Sequence, residues 1–300
     1  MCVPKFAKSF KSSSPMHKTA LQRLLNVLPV SALRKNWEVA GKSKGDVITS
    51  VTSKALEENV IDFVYENIGL TKQHVYLFSH RFRRSSEFPD TFLKDYNPEK
   101  VASPHGGTEH FYLIPLEFHY VAGSPPVEGT ELFLWPVRIA VRAKILIAYL
   151  TTMEKDISTY VQLHPIHKVK RTLQNEQVLR ILIETCGGSP LLTRLDIHRG
   201  VKHLWETNAI DASQVSWKDT HSTHTDSMDS EFLLKKDDPS AYREASKAQL
   251  LKTVFKVVDK KQNWPELFMI DVGNGEIGFP RFNKDEKAVE NVVGEILKFN

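Results

Sequence analysis

Two long runs of β-forming residues lie in the middle of the chain and constrain its fold more than any other feature. Residues 110–121 and 131–149 are rich in aromatic and β-branched side chains, with a Pro-Pro turn and glycines between them. In the first run, alternate residues fall on one face of a strand: Tyr112, Ile114, Leu116, Phe118 and Tyr120. Pro115 lies on the opposite face and lacks an N–H donor, which indicates an edge strand or a bulge. We therefore expect an antiparallel meander.

Amphipathic helical spacing precedes these strands. Leucines recur at the i, i+3, i+4 and i+7 positions of a first helix: Leu21, Leu24, Leu25 and Leu28. Ser31 is a suitable N-cap for a second helix that ends at Gly41, and Asp46 opens a third. A fourth pattern covers residues 60–68 and ends at Gly69. The sequence thus predicts a small helical module before the strands.

The C-terminal part mixes both kinds of element. The predicted elements are helices at residues 169–185 and 194–207, strands at 214–218 and 251–258, a hairpin of residues 267–271 and 276–279, and a final helix at 288–297. Asn274 and Gly275, between the two strands of this hairpin, form the strongest short turn signal in the chain. We expect an α+β protein with five successive regions: a disordered basic tail at 1–17, a helical module at 18–73, an antiparallel β-rich domain at 74–165, a helical connector at 166–210 and a small α+β domain at 211–300.

Composition excludes several classes of protein. Hydrophobic residues make up 41% and charged residues 25% of the 300 residues, close to globular averages. The two cysteines, Cys2 and Cys186, cannot form the disulfide framework of a secreted protein, so a reducing compartment is expected. The longest apolar runs, such as residues 145–150, are too short to cross a bilayer. We expect an intracellular protein, in the cytoplasm or in the nucleoid or nucleus, without membrane association.

The first 22 residues contain no acid and carry Lys5, Lys8 and Lys11. They have no apolar core region, which excludes a secretory signal peptide. Their composition is typical of a disordered tail, with Met16 as a second candidate start, and it is shared by organellar transit peptides. Both interpretations stay open.

Positive charge is concentrated in the front part of the chain. The net charge of +4 is too small by itself to require a polyanionic partner. Residues 1–203 carry 27 Lys and Arg against 19 Asp and Glu, whereas residues 204–300 carry 13 against 17. This asymmetry indicates a basic front part and a mildly acidic back part.

A basic loop between two predicted helices resembles a nucleic-acid-binding motif. Residues 31–55 resemble the helix-extension-helix signature of SAP-like and Rho-N-like modules, which typically contain a Gly-x-x-Lys-x-Glu-Leu turn. The matching positions here are Gly41, Lys44, Asp46 and Val47, while Gly45 stands where a side chain is usual. The resemblance implies nucleic-acid binding. Independently, a helix N-terminus beside Lys42 and Lys44 suits a phosphate, with a solvated linker as the alternative.

A second group of cations lies on a predicted strand. Between residues 137 and 144, apolar side chains alternate with Arg138, Arg142 and Lys144. An open face of this kind would form a positive strip suited to a phosphate backbone; the alternative is that basic side chains simply face water and protect a sheet edge. Further cations could extend the strip: Arg81, Arg83, Arg84, Lys168, Lys170 and Arg171.

The densest group of potential metal ligands lies at residues 221–231. His221, His224 and Asp226 offer the imidazole and carboxylate groups that zinc or manganese requires. The segment faintly resembles the metal-binding loop of metallo-β-lactamase-like hydrolases, but its spacing is one residue too long and no histidine follows residue 224. A polar loop between strands is the alternative, and we expect no metal and no cofactor.

Aromatic residues on the predicted strands offer a third interpretation. They are Phe111, Tyr112, Phe118, Tyr120, Phe133 and Trp135. Because Tyr and Trp dominate interface hot spots, some of them could face a protein partner, with core packing as the alternative.

The sequence therefore favours a binding protein over an enzyme. The preferred function is contact with the phosphate backbone of nucleic acid through the basic helical module and the basic sheet face. The alternatives are a protein-interaction scaffold or subunit of a larger complex, and a metal-dependent hydrolase that uses the loop at 221–231.

Overall fold

The computed structural model describes residues 15–55, 57–84, 87–101, 108–153, 157–158, 160–218, 223–227 and 233–300. Within these residues the chain forms helices and antiparallel strands, so it belongs to the predicted α+β class. The α-helices are α1 (Pro15–Leu25), α2 (Val30–Trp37), α3 (Lys44–Lys54), α4 (Glu57–Glu66), α5 (Asn175–Thr185), α6 (His198–Glu206), α7 (Leu234–Asp237), α8 (Pro239–Lys247) and α9 (Ala288–Phe299). None of the described helices is long and apolar enough to span a bilayer.

The strands contribute more buried apolar residues than the helices do. They are β1 (Gln73–His80), β2 (Glu99–Val101), β3 (Glu109–Ala122), β4 (Val127–Val141), β5 (Ile145–Thr151), β6 (Ile166–Arg171), β7 (Leu192–Arg194), β8 (Ile210–Lys218), β9 (Thr223–Ser227), β10 (Gln249–Val257), β11 (Leu267–Asp271) and β12 (Glu276–Phe279).

The chain divides into two compact units, each built from separate stretches of sequence. Unit 1 comprises the described parts of residues 1–67, 80–144 and 150–192. Unit 2 comprises residues 68–79 and 145–149 and the described parts of 193–300. The division therefore does not follow the order of the chain, whereas the five regions expected from the sequence do.

Unit 1 is organised around the hairpin of β3 and β4, which pair from Glu109 opposite Ala140 to Ala122 opposite Val127. On its other side, β3 pairs first with β2 and then with β6. Pro115 lies between these two short partners, opposite Leu134 of β4. Its missing N–H therefore interrupts no ladder on that side, which agrees with the expected edge position.

The N-terminal helices of unit 1 pack on this hairpin rather than standing apart from it. Arg23 of α1 is 6% exposed, and its guanidinium lies 4.7 Å from the ring centroid of Phe133 on β4. It donates to the carbonyl of Leu132 at 2.5 Å and pairs with Glu131. Because a buried guanidinium is costly unless paired, these contacts hold α1 on β4.

Unit 2 contains strands in the order β5-β1-β12-β11-β10-β8-β9, with β7 also paired to β1. The hairpin of β11 and β12 has the predicted bounds. Gly275 in its turn has φ +58°, and a Cβ there would lie 2.4 Å from the Leu195 carbonyl oxygen. Only glycine fits this turn, which explains why the sequence signal was so strong.

Several predicted boundaries are wrong, and each error has a local cause. The expected β-rich run at 131–149 forms two strands, β4 and β5, which are separated by a turn at residues 142–144. The expected helix at 169–185 begins as strand β6, and α5 starts only where Gln174 and Gln177 form a capping box. The expected helix at 194–207 likewise begins with the end of β7. Residues 15–17 of the expected tail belong to α1, and residues 1–14 lie outside the described residues.

Candidate nucleic-acid interface

Three of the predicted arginines come together in unit 1 around one depression. This depression has a volume of about 320 Å³, and we call it the arginine pocket. Its walls are formed by His80, Phe82, Arg83, Arg84, Thr108, Val141, Arg142 and Ala143. The pocket thus gathers residues that are separated by up to about 60 positions in the sequence.

Backbone hydrogen bonds fix the three chain segments that form the pocket. The N–H of Val141, at the end of β4, donates to the carbonyl of Thr108 at 2.7 Å. The N–H of His80, at the end of β1, donates to the carbonyl of Lys144 at 3.0 Å. The segments that carry the arginines are therefore joined to one another without using the arginine side chains.

The His80 ring adds a second link between these segments. The N–H of Phe82 donates to His80 Nδ1 at 3.1 Å, so Nδ1 carries no proton. Nε2 then carries the proton and donates to the carbonyl of Arg142 at 2.6 Å. The ring is a neutral imidazole in this arrangement, and it stacks on Phe82 with centroids 4.7 Å apart.

The arginine side chains of the pocket carry uncompensated positive charge. Arg83, Arg84 and Arg142 are exposed, and within the described part of the chain none of them forms an ion pair. Glu87 contacts this region through two hydrogen bonds: its Oε2 accepts from the backbone N–H of Arg83 at 2.9 Å, and its own N–H donates to the carbonyl of Arg84 at 3.1 Å. Three guanidinium groups around one concavity form a site that suits an anion.

Two neighbouring cations from the predicted set do not line the pocket. Arg81 is exposed, and its backbone N–H donates to the carbonyl of Leu191 at 3.1 Å. Lys144 is also exposed and contributes its carbonyl to the framework described above. Both add to the positive charge of this part of unit 1 without forming the pocket walls.

A second depression, of about 370 Å³, lies on a sheet face of unit 1. Lys170 and Lys168 of β6 stand opposite His119 and Val121 of β3, so the two lysines share one face. Both are exposed. The face also contains Glu128, which reduces its net positive charge.

The predicted strip on β4 is wrong at Arg138. This residue is 8% exposed, because β4 is covered on both faces from residue 133 to residue 141. Arg142 and Lys144 lie beyond the end of the strand, where the two-residue alternation no longer applies. The period-2 pattern was correct for the strand, but it could not reveal whether the basic face was open.

The side chain of Arg171 is also engaged in contacts within the protein. Its guanidinium lies 5.3 Å from the ring centroid of Trp135. It donates to Gln174 Oε1 at 2.8 Å and to Asn175 Oδ1 at 3.1 Å. These contacts hold the turn between β6 and α5, and they use the groups that a phosphate would need.

The N-terminus of α3 already forms hydrogen bonds within the chain. Ser43 and Asp46 form a capping box, and hydrogen bonds from the Ser43 backbone and side chain lower the pKa of Asp46. Lys44 donates from Nζ to the carbonyl of Asn26 at 2.6 Å, whereas Lys42 is exposed. The expected phosphate site therefore retains Lys42 as its exposed cation, and the resemblance to SAP-like modules stays a prediction.

The described residues include only part of the segment that carries the potential metal ligands. His221 lies outside the described residues. His224 and Asp226 belong to β9, which pairs with β8, so this part of the expected loop is a strand. Within the described residues, no three His, Cys, Asp or Glu side chains are placed to hold a metal ion.

The other candidates for chemistry and for a protein interface are buried. Five of the six aromatic residues proposed to face a partner are core residues: Phe111, Tyr112, Phe118, Phe133 and Trp135. Tyr120 is half-buried. Cys186 is buried, and burial raises the pKa of its thiol to about 12, which disfavours the reactive thiolate.

Sequence reasoning missed one polar cluster in unit 2. His74 Nδ1 lies 2.8 Å from Glu276 Oε1, and Tyr76 donates its hydroxyl to the same oxygen at 3.3 Å. The bond from His74 lowers the pKa of Glu276, while burial opposes that shift. The pairing of Tyr76 with Glu276 across β1 and β12 produces the cluster, and no local sequence pattern indicates that pairing.

No protein-family model matches this chain, and no curated protein matches its sequence.

Proposed function

We propose that this protein binds nucleic acid and that the arginine pocket holds a phosphate group. The observation that carries the proposal is the convergence of Arg83, Arg84 and Arg142 around one concavity, with no ion pair to any of them in the described part of the chain. Guanidinium groups match phosphate oxygens with two parallel N–H donors, so arginine is well suited to this role.

The framework around the pocket supports the proposal. The links through His80, Thr108 and Val141 fix the backbone positions before any ligand arrives. Binding then has to order only the arginine side chains, and this lowers its entropic cost.

The lysines of the second depression provide a further contact. Lys168 and Lys170 are exposed side by side on the sheet face, where they would add electrostatic attraction to a polyanion. Contacts of this kind are made to phosphates and carry no sequence information. We therefore expect affinity that varies little with base sequence and strongly with salt.

The proposal is tested by fluorescence anisotropy with labelled single-stranded DNA, single-stranded RNA and duplex DNA at low salt. The variant Arg83→Glu/Arg142→Glu should bind about 100-fold more weakly than the wild type, because it loses two charge-assisted contacts of about 1.5 kcal/mol each. Both positions are exposed, so the fold should be retained.

A charge-matched control separates the pocket from net charge. Arg180→Glu/Lys247→Glu changes the net charge by the same amount at exposed positions on α5 and α8, and it should bind like the wild type. A third variant, Lys42→Glu, tests the loop before α3. If the wild type shows no measurable affinity at low salt, the proposal is refuted. If only Lys42→Glu loses affinity, the interface lies at the loop before α3 and not at the pocket.

A further inference from the structure

The arginine pocket is large enough for a small ligand. Its volume of about 320 Å³ lies at the lower end of the range of about 300–1,000 Å³ that is usual for small-ligand sites. This is room for a single nucleotide.

The charge of the pocket also suits a terminal phosphate. A phosphate monoester carries a charge of about −1.5 to −2 at pH 7 and three strong acceptor oxygens, while an internal diester carries about −1. Arg83, Arg84 and Arg142 all line the pocket, and each carries a guanidinium group. A diester has two non-bridging oxygens that can accept hydrogen bonds, whereas a monoester has three. Three guanidinium groups, each with two parallel N–H donors, therefore match a monoester better than a diester.

An aromatic ring lies beside these donors. Phe82 lines the pocket next to Arg83 and is partly exposed. Nucleic-acid bases stack on aromatic side chains irrespective of their sequence. A terminal nucleotide that places its phosphate among the arginines therefore has an apolar surface available for its base.

We infer that the arginine pocket recognises the terminal phosphate monoester of a nucleic-acid strand. This inference rests on the proposed function and specifies the part of the nucleic acid that the pocket holds. The strand end enters the pocket, and the lysines of the sheet face contact phosphates elsewhere without choosing between ends and internal positions.

The test compares oligonucleotides of one sequence that differ only at their ends. Eight-nucleotide single strands with a 5′-phosphate, a 3′-phosphate or hydroxyls at both ends are titrated against the full-length protein by competition with a labelled strand. One of the phosphorylated strands should bind at least tenfold more tightly than the hydroxyl-ended strand at pH 7.5. The preference should shrink as the pH falls below about 6. At that pH the dianionic monoester takes up a proton, and its charge becomes about −1, like that of a diester.

A conservative variant separates recognition from general attraction. Arg83→Lys/Arg142→Lys keeps the net charge but loses the forked donors. It should lose the preference for the phosphorylated end, so that the phosphorylated and hydroxyl-ended strands bind this variant with equal affinity. Arg180→Lys, at an exposed position on α5, is the matched control and should keep the preference.

The outcomes distinguish this inference from the proposed function. Equal affinity for phosphorylated and hydroxyl-ended strands, with binding still lost in Arg83→Glu/Arg142→Glu, would overturn the inference and leave the proposed function intact. Absence of binding to every strand would overturn the proposed function itself. Tight binding of adenosine monophosphate, with no binding of any strand, would show that the ligand of the pocket is a free nucleotide. This result would also overturn the inference.

Discussion

His80 shows how a side chain that lines a site can also position the segments around it. Its two ring nitrogens join the backbone of Phe82 to the carbonyl of Arg142, so it sets the spacing of the segments that carry the pocket arginines. We expect His80→Ala to weaken nucleic-acid binding about fivefold, which corresponds to one hydrogen bond of about 1 kcal/mol.

The variant His80→Asn provides the comparison. An asparagine oxygen accepts readily from the backbone N–H two residues further along, so it can keep the bond from Phe82. Its side chain is shorter and does not reach the carbonyl of Arg142. Anisotropy should therefore place its affinity between those of His80→Ala and the wild type. Wild-type affinity in His80→Ala would show that His80 does not position the pocket.

His110 makes the stability of unit 1 depend on pH. Burial lowers the pKa of this histidine below 6.5, Lys100 adds to the effect and Asp90 opposes it. Below pH 6.5 the unfolded chain takes up a proton that the folded state does not, so stability should fall as the pH decreases through this value. The variant His110→Leu, of similar volume, should show a smaller loss of stability.

Chemical denaturation between pH 7.5 and pH 5.5 measures this effect. The relevant quantity is the difference between the variant and the wild type, because burial also lowers the pKa of His198 in unit 2. Identical pH profiles for the two proteins would contradict the account of His110.

Among the elements, α6 and α9 of unit 2 pack closely enough for a single added methyl group to matter. A Cβ at Gly200 would lie 2.1 Å from the Ile296 carbonyl oxygen, so Gly200→Ala must push the helices apart and should cost about 1–3 kcal/mol. Gly294, also on α9, has no atom within 4 Å of its ideal Cβ. Gly294→Ala should therefore stabilise the protein by about 1 kcal/mol.

Urea denaturation of the two glycine variants tests this pair directly. Both changes add one methyl group to a helix of unit 2, so they differ only in the space that is available. Opposite signs of the change in unfolding free energy are expected. Equal effects would show that the close packing of α6 and α9 does not determine the stability of unit 2.

The sequence predicted elements whose signals are local. The period-2 pattern located β3, and the Asn274-Gly275 turn located the hairpin of β11 and β12 with its bounds. Helix starts were less certain, since β6 and α5 are separated by a capping box at Gln174 that periodicity does not detect. Local rules therefore identified the kinds of element better than their limits.

Exposure of a strand face could not be read from alternation. Arg138 satisfies the pattern of an outward-facing cation but is buried, because β4 is covered on both faces at this point. Periodicity tells which residues share a face, and only tertiary packing tells what lies against it.

At the scale of the whole molecule, the charge asymmetry has a structural counterpart. The sequence places the excess of positive charge before residue 204, and the cations of both depressions belong to unit 1. The arginine pocket itself could not be predicted, because it joins the ends of β1 and β4 to the start of β3. The individual arginines were identified as candidates, but their convergence depends on the topology of the sheet.

The salt dependence of binding tests the central claim most directly. For a single strand, the logarithm of the association constant should fall with the logarithm of the salt concentration by about 0.7 for each phosphate that the protein neutralises. If the arginine pocket holds one phosphate, the slope of Arg83→Glu/Arg142→Glu should be smaller in magnitude than that of the wild type by about 0.7, because the pocket no longer neutralises that phosphate. The control Arg180→Glu/Lys247→Glu should keep the wild-type slope. Equal slopes for the wild type and the pocket variant, measured across the same salt range, would contradict the account.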